Sequence, residues 1–221
     1  MKIYAISDIH GCMVEFEDAL DRIDLSGENM LILLGDYVHG PDSYEVLDKI
    51  MELQEMYGDK VIALKGNHEH MVVEDEWPIN KMKNGGYVNA PKDESKYISW
   101  MEKLPYYYVT EKQIFCHAGI DEEAGEWWEM STDEWLYLYK YPPQQGSFYM
   151  DIIAGHVGTD VIVKNKRYHD IFFDGESHYY IDGKVLKSGK IPVLMYNTER
   201  ENYYSVTESG EWLILPYDEE N

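Results

Sequence analysis

Ile3-Tyr4-Ala5-Ile6-Ser7-Asp8-Ile9-His10-Gly11 is an apolar run that breaks abruptly into polar and turn-forming residues. Four apolar residues in a row, stopped by a serine, an acid and a glycine, read as a buried strand ending in a tight loop. A helical stretch follows, with Val14, Phe16, Ala19, Leu20 and Ile23 spaced mostly three to four apart. The same unit then recurs. Residues 30–34 are wholly apolar and stop at Gly35-Asp36, and Ser43, an expected N-cap, opens a helix carrying Val46, Leu47, Ile50, Met51 and Met56. Residues 61–64 form a third run, closing on Gly66-Asn67-His68-Glu69. Strand, helix, strand, helix, strand at this spacing implies parallel strands joined by crossover helices. Each strand then delivers its polar cluster to the carboxyl edge of the sheet, where open α/β sheets bind ligands.

Further along, residues 78–96 are polar and turn-rich around Asn84-Gly85-Gly86, predicting a loop or flap before a helix at 97–104. Short strands are expected on either side of residues 110–112, the second running Ile114-Phe115-Cys116 into His117-Ala118-Gly119. After a Trp-rich segment, Ile152-Ile153-Ala154 runs into Gly155-His156. The tail reads as an antiparallel meander of strands at 171–173, 179–181, 193–196, 203–206 and 212–215. These elements predict an α/β chain, residues 1–221, forming a single domain of two packed sheets with helices outside.

With 221 residues the chain can bury a core without disulfides, and its two cysteines, Cys12 and Cys116, suit a reducing cytosol as small buried residues. No apolar run approaches the roughly 20 residues of a membrane span. Met1-Lys2 leads straight into a strand with no signal-peptide pattern, so a cytoplasmic protein beginning at its true start is expected, with no membrane partner. A formal net charge of −23 argues against nucleic acid, whose phosphates call for a Lys/Arg surface. It leaves room for a smaller phosphate, because local metal charge can outweigh the global field.

The chemistry lies in the clusters that follow the apolar runs: Asp8-x-His10, Gly35-Asp36, Gly66-Asn67-His68-Glu69, His117-Ala118-Gly119 and Gly155-His156. Carboxylate and imidazole together suit manganese, iron or zinc, whereas magnesium prefers oxygen alone. On these motifs the chain resembles the calcineurin-like metallophosphoesterase superfamily, and within it the serine/threonine phosphoprotein phosphatase branch. The resemblance covers about residues 1–197, with a weaker match at Ile181-Asp182-Gly183 and Gly189-Lys190. It implies a two-sheet mixed β-sandwich flanked by helices, in agreement with the pattern above. It implies too that Asp8 and His10 hold a first divalent metal, that Asp36 bridges, and that Asn67, His117 and His156 hold a second. Manganese is the first expectation for the pair, iron or zinc the alternatives. Such a dinuclear centre, with metals about 3.5–4 Å apart, activates a bridging hydroxide that attacks phosphorus in line. His68 would protonate the leaving oxygen.

One motif departs from the family. After Gly-Asp-Tyr-Val the phosphatases continue with an Asp-Arg pair, the Asp orienting the catalytic histidine and the Arg clamping phosphate. Here Gly35-Asp36-Tyr37-Val38-His39-Gly40-Pro41 puts one histidine in their place. His39 is expected either to contact phosphate or to hydrogen-bond His68, and Lys140 is the nearest match to the family's second phosphate cation, with Arg167 a basic candidate outside any motif. His169 and His178 are expected in solvent or turns, and Glu69 either to cap its helix or to support His68. The first functional expectation is a phosphomonoesterase acting on phosphoproteins or small phosphorylated molecules. The alternatives are a dinucleoside polyphosphate hydrolase and a metal-binding pseudophosphatase. Gly155-His156-Val157-Gly158 lacks the second histidine of many phosphodiesterase relatives.

Overall fold

A computed structural model describes residues 1–218, so positions 219–221 of the expected domain lie outside the described residues. The first half follows the predicted alternation. Strand β1 (Lys2–Ile6) leads to helix α1 (Met13–Leu20), β2 (Met30–Leu33) to α2 (Ser43–Tyr57), and β3 (Val61–Ala63) to α3 (Asn67–Val73). β1, β2 and β3 pair in parallel, Ile3 opposite Met30 and Leu31 opposite Val61. The flap runs from there to α4 (Ser95–Glu102). The antiparallel pair β4 (Tyr107–Val109) and β5 (Gln113–Cys116) follows, then α5 (Trp128–Ser131), α6 (Glu134–Tyr139), β6 (Asp151–Ala154) and α7 (Thr159–Ile162). The tail holds β7 (Phe172–Phe173), β8 (His178–Tyr180), α8 (Val185–Ser188), β9 (Leu194–Asn197), β10 (Asn202–Thr207) and β11 (Gly210–Leu213).

The tail is not one meander. β9, β10 and β11 extend the first sheet, whose order is β11-β10-β9-β1-β2-β3, whereas β7 and β8 join a second sheet ordered β4-β5-β6-β8-β7. β8 runs parallel to β6, with Ile153 opposite Tyr179. Local strand signals carry no information on which sheet a strand joins. That choice is made by which face each side chain can bury.

Strands β1 and β2 are covered on both faces, so they are apolar in succession rather than alternately, whereas the edge strand β11 is exposed along its length. On β1, Tyr4 and Ile6 pack under the helices with Phe16, Leu47, Ile50 and Met101, while Ile3 and Ala5 face the second sheet with Phe115, Ile153 and Tyr179. Ile114, Cys116, Ile152 and Ala154 point the other way, onto Trp128, Tyr137 and Leu138. Each fully buried aliphatic contributes about 1.5–3 kcal/mol. Ala5 is wholly buried between the sheets, where a larger residue would overpack by about 1–3 kcal/mol. Cys12 and Cys116 are buried free thiols, as expected. Ser43 does not cap α2. It is the helix's first residue, and its hydroxyl closes the preceding turn with Gly40. No helix of the described residues is long and apolar enough to cross a membrane.

Candidate metal centre

The loops that leave β1, β2, β3, β5 and β6 converge at one edge of the two sheets. Backbone bonds continue the parallel ladder past the strand ends: Asp8 N–H to Gly35 C=O, His10 N–H to Asp36 C=O, and Gly155 N–H to His117 C=O, at 3.1, 2.8 and 2.8 Å. The sharp turns that follow force Asp8, His10, Asp36, His39 and His156 to positive φ, between 46° and 70°. Non-glycine residues seldom adopt that region, and strain of this kind persists where the surroundings over-determine it. Two glycines let the loops close. A Cβ on Gly155 would run into Ser7 Oγ and Asp8 Oδ2, and one on Gly66 into Asp36 Oδ1.

The convergence packs the six expected ligands and His68 into a small volume. Asp36 is the hub, its Oδ2 lying 3.7 Å from His10 Nε2 and 3.8 Å from His68 Nε2, its Oδ1 3.4 Å from His117 Nε2. Asn67 Oδ1 lies 2.9 Å from His117 Nε2 and 3.0 Å from His156 Nδ1. Asp8 Oδ1 lies 4.0 Å from His10 Nε2, while its Oδ2 accepts from Ser7 Oγ–H and the His156 N–H. Two groups whose ligand atoms all lie within 4.8 Å of one another result: His10, Asp36 and His68, and Asp36, His117 and His156. They share Asp36.

The donor set fits cations. His117 Nδ1–H points at Leu34 C=O, 2.9 Å away, and His10 Nδ1–H at Val38 C=O, 3.2 Å away, which in the neutral rings leaves both Nε2 atoms as lone pairs. His117 Nε2 then faces the oxygens of Asn67 and Asp36, so lone pairs converge with no proton between them, an arrangement a metal ion resolves. Burial drives His10 and His156 to their neutral, ligating form, lowering them to about 3 and about 4. Burial also raises Asp8, reinforced by the charge of Asp36. Although burial opposes it, Asp36 is held below the usual carboxylate range by His117, His68 and His10.

His39 turns inward rather than toward solvent. It is fully buried, with Nδ1 2.6 Å from His68 Nδ1 and its ring edge-on to Trp77, and burial lowers it to about 4. Its Nε2 has no partner among the described residues. Glu69 caps α3 rather than supporting His68: its carboxylate accepts from Gly66, Asp36 and Tyr37 N–H at 3.0, 2.8 and 2.7 Å, tying helix to loop.

Lys140 does not reach the cluster. Its ammonium lies 2.6 Å from Ile120 C=O, 2.9 Å from Glu122 and 2.8 Å from Gln144, which uses its three protons. Arg167 is exposed in the turn after α7. His178, expected in solvent or a turn, is instead a buried strand residue held between Glu122 and Asp174, each 2.9 Å away. The sequence reading missed Lys83, whose Nζ lies 3.3 Å from His10 Nε2. Its only signal is a lysine within a polar flap.

Several known proteins are similar to this chain. Over 137 residues the chain is 30% identical to a symmetrical bis(5'-nucleosyl)-tetraphosphatase of Vibrio parahaemolyticus, covering 60% of this chain and 48% of that protein. A protein of the same description from Nitrosococcus oceani is 30% identical over 165 residues, covering 72% and 56%. The chain thus spans about half the length of the curated relatives it matches. Among solved structures it superposes on a cold-active protein-tyrosine phosphatase of a psychrophilic Shewanella with a TM-score of 0.65 at 18% identity, over 97% of this chain and 80% of that one. A protein serine/threonine phosphatase of Saccharomyces cerevisiae gives 0.60 at 13% identity, over 99% and 82%. At such identities the likeness is one of fold. The family model for calcineurin-like phosphoesterases matches residues 1–195, which include all the strand-end clusters. With its two sheets, its edge of converging loops and this match, the chain belongs to the calcineurin-like phosphoesterase family.

Proposed function

We propose that this edge is a dinuclear metal centre that hydrolyses small-molecule phosphate esters and anhydrides, dinucleoside polyphosphates first among them. The observation that carries this reading is the convergence of Asp8, His10, Asn67, His117 and His156 around Asp36. Asp8 and His10 would hold one divalent ion and Asn67, His117 and His156 the other, with Asp36 between the two groups. Manganese suits the mixed carboxylate and imidazole set, with iron or zinc as alternatives. Bound there, two such ions polarise phosphoryl oxygens and lower the pKa of water.

His68 Nδ1 meets the Nδ1 of His39, 2.6 Å away, rather than a carbonyl. With the proton on His68 Nδ1, that ring donates to His39, whose Nε2 then keeps its own proton beside the backbone of Trp77 and Pro78. A second proton on His68 Nε2, the atom facing Asp36, would keep that nitrogen from a metal. That imidazolium would give its Nε2 proton to a departing oxygen and return to neutral imidazole. His39 thereby takes the orienting half of the missing pair.

The nucleotide preference rests on the curated relatives and on one surface feature. Exposed Trp135 stacks on Tyr139, with centroids 4.6 Å apart and planes 24° apart, and Tyr139 stands edge-on to His156 at 6.4 Å. An aromatic shelf beside the centre suits a base, each stacked base being worth about 1–3 kcal/mol. The buried thiols fit a cytoplasmic setting. The test is turnover of diadenosine tetraphosphate, 4-nitrophenyl phosphate and a phosphothreonine peptide by manganese-loaded protein. Turnover of the dinucleotide that needs metal and collapses in Asp36→Asn supports the reading. Metal uptake without turnover of any of the three would favour a pseudophosphatase.

A further inference from the structure

The proposed centre has metal ligands, a proton donor and an orienting residue, but no side chain to grip the phosphate. The matched loop carries no arginine, His39 is committed to His68, and Lys140 is spent on Ile120, Glu122 and Gln144. In a chain of net charge −23, a side-chain cation at the mouth would add to the metals in drawing in a polyanion.

The flap supplies one. Residues 80–88 fold back on themselves: Val88 N–H donates to Asn80 C=O, Met82 N–H to Gly86 C=O, and Lys81 bridges to Tyr87. At the tip the Lys83 N–H donates to His39 C=O at 3.0 Å, which pins the flap to the very loop that lost the Asp-Arg pair. The Lys83 side chain is exposed, yet its Nζ reaches 3.3 Å from His10 Nε2. Its charge bears on Asp8, His10, His68 and His156 alike. Among the described lysines and arginines it alone contacts a candidate ligand.

That contact is one the ammonium can give up. His10 Nε2 is a lone pair, and a metal ion held there would take it and repel a neighbouring cation. An exposed four-carbon stem lets the ammonium swing away, and an anion on the open side is the group it would then meet. We infer that Lys83 is the phosphate-gripping cation of this site, delivered by the flap in place of the family's loop arginine. The inference rests on the two-metal reading. Lysine offers a compact, mobile charge rather than a planar fork, so it suits phosphates presented at varied angles, such as the units of a polyphosphate chain.

The experiment is calorimetric titration of inorganic phosphate into manganese-loaded protein, comparing wild type with Lys83→Met, Lys83→Arg and, as a control for net charge, the exposed flap lysine variant Lys92→Met. Manganese stoichiometry and affinity are measured on the same samples. The expected result is phosphate affinity lowered tenfold or more in Lys83→Met, restored to within about threefold by arginine and unchanged in Lys92→Met, with two manganese ions bound throughout. Phosphate affinity in Lys83→Met within twofold of wild type, both ions being present, would overturn the assignment and leave the metal centre standing. An equal loss in Lys92→Met would overturn it too, by reducing the effect to overall charge. A wild-type protein that binds fewer than two ions would instead bring down the two-metal reading, and the role of Lys83 with it.

Discussion

Replacing His39 by alanine removes the ring nitrogen 2.6 Å from His68 Nδ1 and empties a fully buried site beside Trp77. A buried hydrogen bond is worth about 1 kcal/mol net, and a buried partner left unmatched costs about 1–3 kcal/mol more. Where that loss falls on His68 in the transition state, at about 1.4 kcal/mol per factor of ten, kcat drops roughly ten- to a hundredfold. KM and manganese affinity stay near wild type, because His39 touches neither a ligand nitrogen nor the substrate. His39→Asn is the informative companion. Asparagine tolerates the φ of 70° at this position, and its amide stands close to where the imidazole Nδ1 was. It should recover most of the lost kcat. The assay is steady-state hydrolysis of two substrates by manganese-loaded protein: 4-nitrophenyl phosphate, whose leaving group needs little protonation, and an alkyl phosphate, whose leaving group needs it badly. The loss in His39→Ala should be larger for the alkyl ester. Equal losses for both esters, or an asparagine variant no better than alanine, would refute the assignment of His39 as the residue that orients a proton donor.

Two further expectations follow from packing and charge. His178→Gln strips the cation from between Glu122 and Asp174, and breaking such a buried pair should cost about 3 kcal/mol in urea unfolding. Although burial opposes it, Glu122 and Asp174 raise His178 above its ordinary value, while the two carboxylates are held low, with Lys140 on the other oxygen of Glu122 and Asp151 nearby. The histidine's share of stability is therefore complete below about pH 6.5 and lost as pH rises through its raised pKa, and the carboxylates' share is lost only in acid. The gap between wild type and variant should be widest at about pH 5–6 and shrink toward pH 9; a gap that grows with pH contradicts this. Gly155→Ala drives a methyl group into Ser7 Oγ and Asp8 Oδ2, and should lower manganese affinity tenfold or more while Tm falls by only a few degrees. Wild-type manganese uptake in that variant would show that Asp8 can move aside without loss.

Much of this was legible in the sequence because the signal is local. An apolar run that stops at Gly-Asp or Gly-Asn-His marks a strand end, and β1, β2 and β3 pair in parallel as their spacing implies. The tail was less legible: β8 and β9 look alike as short aromatic strands, yet one pairs with β6 and the other with β1. Nothing in a five-residue stretch encodes that choice. Lys83 was invisible for a related reason, since its position depends on how the flap folds back onto the His39 loop, 44 positions away by the numbering of the two residues. His178 reads as a tail histidine until Glu122, far off in sequence, closes over it. Lys140 shows the converse, a residue matched loosely by position whose charge is consumed by nearer partners.

The central claim is that Asp36 joins two metal ions. Electron paramagnetic resonance of the manganese-loaded protein tests it most directly, because two ions sharing a carboxylate are spin-coupled and isolated ions are not. Two manganese ions per chain with a coupled spectrum, and loss of that coupling in Asp36→Asn, is the expected result. A single ion, or two ions with uncoupled spectra in the wild type, would contradict the account.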